Sequence, residues 1–273
     1  MTAVILALAS AAFFGAMTVA TRFGLAGQDA AAGALATVLW ALPVTLVASA
    51  FRFDLHGAWP FLLAGMLSPG VSQVLFTLAV REVGASRTSV TVGSAPLVAG
   101  AIALVFLDEP LRVPLVLGAL AIVAGGLLLA AERGRPSHLR ARGLLFAALA
   151  TVAFATRDTL IRALHGHASP EIAAAATLLT GAVVAAAWSR RPPGTVLAVR
   201  MAPAGLLFGL SYVCVFEAYF RGRVTVVSPL VATESLWGVG LSALVFSREA
   251  VGRRLLFGAA AVVVGGVVIG AFR

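Results

Sequence analysis

One stretch of this chain occurs twice. From Ala103 to Gly126 it reads ALVFLDEPLRVPLVLGALAIVAGG, and from Ala243 to Gly266 it reads ALVFSREAVGRRLLFGAAAVVVGG. Twelve of the 24 aligned positions are identical without a gap, and the offset between Glu109 and Glu249 is 140 residues. The same offset carries Phe14 onto Phe154, Arg22 onto Arg162, Gly65 onto Gly205, Phe76 onto Phe216 and Arg81 onto Arg221. One register held along the whole chain implies two copies of a single structural unit. We place them at 1–131 and 142–273, with residues 132–141 as the linker.

The unit is built of apolar runs. Hydrophobic residues make up 60% of the chain and charged residues 11%, and the mean hydropathy is +1.02. A soluble domain carries roughly 25% charged residues. Twenty basic and 11 acidic side chains cannot cover a soluble globule of 273 residues, so the sequence predicts an integral membrane protein. A helix rises about 1.5 Å per residue, so about 20 apolar residues cross a hydrocarbon core about 30 Å thick. Runs of suitable length fall at 3–21, 30–50, 60–79, 88–107, 114–131, 142–163, 170–188, 201–220, 225–246 and 255–271. Lipid offers no hydrogen bonds to an open strand edge, so each run must be a helix. The expected fold is therefore an all-α integral membrane protein with ten transmembrane helices in two five-helix repeats. Five is odd, so the second copy enters the membrane from the opposite side. That is an inverted repeat, an architecture of many secondary transporters. The first run lacks a basic flank and reads as a membrane helix, not a cleaved signal.

The charges that remain are instructive. Every basic residue is Arg, and the net charge is +9. Most Arg residues stand between apolar runs, where they meet headgroups and hold helix ends. Nucleic acid is not an expected partner; the lipid bilayer is. Thirteen of the 20 Arg residues fall in odd-numbered loops, which by the positive-inside rule puts both termini outside. Cys214 stands alone in an apolar run and forms no internal disulfide. His56, His138, His165 and His167 lie in predicted loops without a carboxylate cluster, and no nucleophile-elbow, zincin or phosphate-loop motif is present. No metal, cofactor or enzymatic activity is expected.

Three features resemble the EamA-type transporters of the drug/metabolite transporter superfamily, over nearly the whole chain. The first span of each half contains FGAMTVATR (Phe14–Arg22) or FATRDTLIR (Phe154–Arg162), similar to a family pattern that begins with Trp-Gly and ends in a cation. In the fourth span Pro96 precedes FLDEPL, and the fifth carries Gly118, Gly125 and Gly126. The departures are Phe for Trp in both halves, Met17 and Arg157 at the Asn position, and Leu236 at the second proline position. The resemblance implies small-metabolite transport by alternating access, often export of amino acids or related compounds. It also implies a multi-pass protein of the bacterial inner membrane with both termini in the cytoplasm, opposite to the Arg count. A lipid or lipid-carrier translocator of the same superfamily is the alternative.

Candidate functional residues are polar groups at membrane depth. A charge there costs at least about 2.5–3.5 kcal/mol, so it must face the interior and hold a partner or a proton. Glu234, in span nine, is the leading candidate for substrate binding or coupling, with protons a candidate coupling ion. Arg157 and Asp158 follow. Asp158 and Arg162 have i,i+4 spacing and are expected to pair. That leaves Arg157 free to hold a substrate carboxylate, which a guanidinium can grip bidentately, or Glu234. Gln73 and Thr77 share a helical face and, with Tyr212, Tyr219 and Trp237, are expected to line a cavity. Glu217 and Arg221 are spaced as a helix-end ion pair. The loop acids Glu109 and Glu249 are expected to brace the turn before the fifth span of each half. Ser68-Pro69-Gly70 and Ser228-Pro229 are expected to kink or interrupt helices. Small residues at contact spacing, Gly118, Ala121 and Gly125 and again Gly258, Gly266 and Gly270, are packing positions, in a monomer or on a homodimer face.

Overall fold

In the computed structural model, residues 1–50, 56–106, 113–130, 141–246 and 253–271 are described. Glu109 and Glu249 lie outside them, as does nearly all of the linker, so the role expected of these acids is not addressed. The first half contains α1 (Thr2–Leu25), α2 (Ala30–Ser49), α3 (Trp59–Gly65), a π-helical turn (Met66–Val71), α4 (Ser72–Val83), α5 (Ala85–Val92), α6 (Ala95–Phe106) and α7 (Val113–Ala130). The second contains α8 (Ala141–Ala163), α9 (Pro170–Ser189), α10 (Thr195–Arg221), α11 (Val224–Val231), α12 (Glu234–Val245) and α13 (Arg253–Ala271). No strand occurs among the described residues.

Among the described residues, seven segments are long and apolar enough to cross a membrane, and Leu256–Gly265 is a shorter apolar helix. The expected spans at 88–107 and 114–131 coincide with the α5–α6 pair and with α7. Polarity is distributed as a membrane protein requires. Large apolar side chains point outward, with Ile5 62% and Leu244 83% exposed, while Thr18, Gln73 and Thr77 are fully buried. A water-soluble protein would expose its polar groups instead.

Local chemistry explains the element boundaries. Asp29 caps α2 by accepting the Ala32 N–H at 3.0 Å, and Ser169 caps α9 by accepting the Ile172 N–H at 3.3 Å. These two caps stand at the same repeat position. The expected third span is one kinked unit, since Ser68 adopts extended angles (φ −144°, ψ 115°) just before Pro69. The Ser-Pro-Gly triplet thus interrupts a helix as expected. Ser228-Pro229 does not, for Pro229 sits inside α11. The fourth span of each half is also broken, between α5 and α6 at Gly93–Ser94 and between α11 and α12 at Ala232–Thr233. The two breaks fall within one residue of equivalence at the 140-residue offset.

The halves interlock reciprocally. The first helix of each half packs on the third span of the other, α1 on α10 and α8 on α4, and α7 packs along α13. A Cβ at Gly65 would run into Thr180 and the Thr177 carbonyl, and one at Gly205 into Trp40 and the Thr37 carbonyl. Thr37 and Thr177, like Trp40 and Thr180, are repeat equivalents. The α7–α13 crossing shows the same exchange. A Cβ at Gly265 would lie 2.5 Å from the Gly118 carbonyl oxygen, and one at Gly125 2.7 Å from that of Gly258. Residue i meeting j while the equivalent of i meets the equivalent of j is the mark of a two-fold relation. Phe14 and Phe154 meet each other directly, edge to face at 5.7 Å.

Gly65→Ala and Gly205→Ala are each expected to lower stability by about 1–3 kcal/mol through overpacking. Gly240, which has open space around it, is the control and should tolerate Ala. Melting temperatures in detergent check this, and similar losses at positions 65 and 205 are expected because the two changes strike equivalent contacts.

Candidate functional site

Both helix breaks open onto one cavity. Its wall includes Val92 and Ala95, the last residue of α5 and the first of α6, and Val231 and Glu234, the last of α11 and the first of α12. Ser10 and Phe14 of α1, Phe154, Arg157 and Asp158 of α8, and Ser211, Tyr212 and Val215 of α10 complete it. The α8 trio shares one face because its members are three and four residues apart, as are the α1 pair and the main α10 contributors. The free volume is about 30 Å³, room for a water or two. A metabolite does not fit in this conformation.

Arg157, Asp158 and Glu234 are each at most 5% exposed. Arg157 donates to Asp158 Oδ1 through Nε at 2.9 Å and through Nη2 at 2.5 Å. Its guanidinium lies over the rings of Tyr212 (4.9 Å to the centroid) and Phe154 (5.4 Å). Asp158 Oδ2 accepts the Tyr219 hydroxyl at 3.0 Å. Arginine and aspartate thus satisfy one another, with two rings over the cation and a phenol on the acid. Glu234 faces the same cavity with no hydrogen bond or ion pair among the described residues, though the charges of Asp158 and Arg157 both act on it. Across the cavity the two halves are joined by Ser10 and Ser211. The Ser10 hydroxyl donates to the Ser211 carbonyl at 3.0 Å, and the Ser211 hydroxyl to the Ser10 carbonyl at 3.1 Å.

Four of the sequence-predicted residues meet here: Glu234, Arg157, Asp158 and Tyr212. Four do not line the cavity, among them Tyr219, which reaches the site only through its hydrogen bond to Asp158. Gln73 and Thr77 are fully buried on α4, where Thr77 donates to the Gln73 carbonyl at 2.7 Å. Trp237 is 48% exposed, with its Cβ against Gly15 of α1, and does not line the cavity. The pairing expected for Asp158 is also corrected. Arg162 reaches past it and donates to the carbonyls of Tyr219 (3.4 Å) and Phe220 (3.3 Å) at the end of α10. The last carbonyls of a helix have no intrahelical donor and attract a cation. Arg157 therefore takes Asp158 and is not left free. Its repeat equivalent position, Met17, is apolar, but Arg22 repeats the role of Arg162 by donating to the Arg81 carbonyl at 3.2 Å. Glu217 and Arg221 pair as their spacing predicts. Sequence reasoning missed Ser10 and Ser211, whose hydroxyls carry no motif and stand 201 residues apart.

These features define a multi-pass helical membrane protein of two related halves enclosing a buried polar cavity. The chain belongs to the EamA-like transporter family, whose pattern matches residues 1–131 and again 141–271. It is thus a membrane transporter of the drug/metabolite transporter superfamily, a family of transporters and not of enzymes. Seventeen solved chains are similar to it in fold. One, titled "Crystal structure of protein", superposes with a TM-score of 0.75 over 99% of this chain and 98% of its own, at 18% identity. That likeness shows the fold alone. None of the curated proteins matches the chain.

Asp158→Asn should strip Arg157 of its counter-charge and lower stability by about 3–5 kcal/mol, the cost of orphaning one partner of a buried pair. Tyr219→Phe removes one hydrogen bond and should cost only about 1 kcal/mol. Replacing the pair together, Arg157→Met with Asp158→Leu, should recover most of the loss. Denaturation in mixed micelles ranks the three.

Proposed function

We propose that this chain is a secondary transporter that moves small metabolites by alternating access. Ten transmembrane helices would form two inverted five-helix repeats, 1–131 and 142–273. The observation that carries the reading is the convergence of both helix breaks on one cavity between the halves, where the buried charges lie. Broken helices that meet near the middle of the bilayer are the usual build of a transport site. Two equivalent halves offer two equivalent ways of packing, and exchange between them opens the central cavity to either side.

Glu234 is the proton-carrying candidate. It is the acid in the cavity with no fixed partner, so it exchanges a proton without breaking a structural pair. Arg157 and Asp158 of α8 are the charged groups that act on it. Among the cavity residues, α1, α5 and α6 bring it no titratable neighbour. The family resemblance favours net export, of amino acids or related compounds, across a bacterial inner membrane.

Proteoliposomes with a pH-sensitive dye inside supply the test. Amino acids, amines, organic acids and nucleosides are added outside in turn. The wild-type protein is expected to couple at least one of them to a proton flux. Glu234→Gln should fold normally and lose that flux to the level of protein-free vesicles. Flux that survives in Glu234→Gln removes the residue from coupling. Redistribution of a fluorescent lipid, with no response to any solute, establishes the lipid-translocating alternative.

A further inference from the structure

The cavity is short of positive charge. Its ionisable groups are one guanidinium, two carboxyl groups and the Tyr212 phenol. Asp158 occupies Arg157 through two donors, and Tyr219 takes the remaining Asp158 oxygen. Two aromatic rings cover the guanidinium face. A carboxylate substrate would therefore have to break that pair and leave Asp158 buried without its counter-charge, a change that costs several kcal/mol. The Ser10 and Ser211 hydroxyls are likewise committed to each other's carbonyls. Among the described residues, two cavity-lining groups have binding capacity unused: the neutral Tyr212 hydroxyl and the carboxyl of Glu234, which is 5% exposed and the one of the two that can carry a full charge opposite a cation.

We infer that the substrate recognised here carries an ammonium group, with Glu234 as its counter-charge and the ring-lined wall as its seat. This rests on the transport reading. It names primary amines and related organic monocations, in preference to carboxylates, as the substrate class. Ionised Glu234 paired with an ammonium leaves the cavity neutral. Protonated Glu234 with no substrate leaves it neutral as well. The two occupied states thus exclude one another, and a single carboxyl group takes either a proton or a cation. The walls suit such a ligand. Phe14, Phe154 and Tyr212 line the same cavity as the acid; the guanidinium of Arg157 already lies over the last two rings, and ring faces attract cations. Val92, Val215 and Val231 supply an apolar surface for the substrate's carbon chain.

Two matched sets of probes isolate the charge: phenylethylamine, phenylalanine and 3-phenylpropionate; isoamylamine, leucine and 4-methylpentanoate. Within each set the apolar body is constant. Purified full-length protein in detergent is titrated with each and the melting temperature followed. The amines are expected to stabilise most and the carboxylates not at all. Glu234→Gln should weaken amine binding by about tenfold or more, the size of one charge-assisted hydrogen bond. A second readout uses the wild-type protein, in case the variant folds poorly. Dicyclohexylcarbodiimide adds to a protonated carboxyl in an apolar setting, and mass spectrometry locates the adduct. Labelling of Glu234 is expected, and phenylethylamine should slow it.

Stronger stabilisation by either amino acid or either carboxylate overturns the assignment and leaves the transport reading intact. Amine binding that persists unchanged in Glu234→Gln, labelling that phenylethylamine fails to slow, or silence from both amines also overturns it. Silence from all six probes together with the absence of proton flux in vesicles removes both readings.

Discussion

Apolar helices inside a bilayer gain little by leaving lipid for one another, because lipid tails are as apolar as leucine. What holds them together is close approach, and close approach needs positions without side chains. Gly65 against Thr177, Gly205 against Thr37, and the crossed glycines of α7 and α13 are those positions here. Each removes a Cβ where two backbones must nearly touch, so dispersion contacts accumulate along the helices on both sides. That these contacts come in equivalent pairs is why one structural unit, used twice, builds the whole bundle.

Symmetry of packing is not matched by symmetry of chemistry. The positions equivalent to Arg157, Asp158 and Glu234 are Met17, Thr18 and Ser94. The first half lends the cavity Ser10, Phe14, Val92 and Ala95, a hydroxyl and apolar walls. The second half lends all of its charge. A duplicated scaffold is thus divided between a half that shapes the cavity and a half that charges it. The helix breaks survive in both halves because they are a backbone property that suits either role.

Most of the scaffold was legible in the sequence, since hydropathy, run length and the 140-residue register are all written in the order of residues. The breaks at Gly93–Ser94 and Ala232–Thr233 were not, because a two-residue interruption inside an apolar run leaves hydropathy unchanged. The buried charges announced themselves: Glu234, Arg157 and Asp158 are costly at membrane depth and have no reason to be there without a use. Their partners were illegible. Helical spacing favoured Arg162 for Asp158, yet a dry interior forces Arg157 to the nearest carboxylate, and α10 offers Arg162 open carbonyls. Trp237 failed as a cavity residue for a related reason. A polar-tipped aromatic in an apolar run looks the same whether it faces a cavity or lipid, and only the rotation of α12 decides.

The edge-to-face contact between Phe14 and Phe154 joins a residue to its own counterpart. On the proposed motion the two halves trade conformations, and a contact between non-equivalent residues is replaced by its equivalent elsewhere in the bundle. A contact between counterparts is carried onto itself. In an edge-to-face pair one ring gives its edge and the other its face, so that exchange would keep the contact and swap the two roles. On the proposed motion the pair would stay in contact while the cavity's openings alternate, so a change at either ring would be felt in both forms.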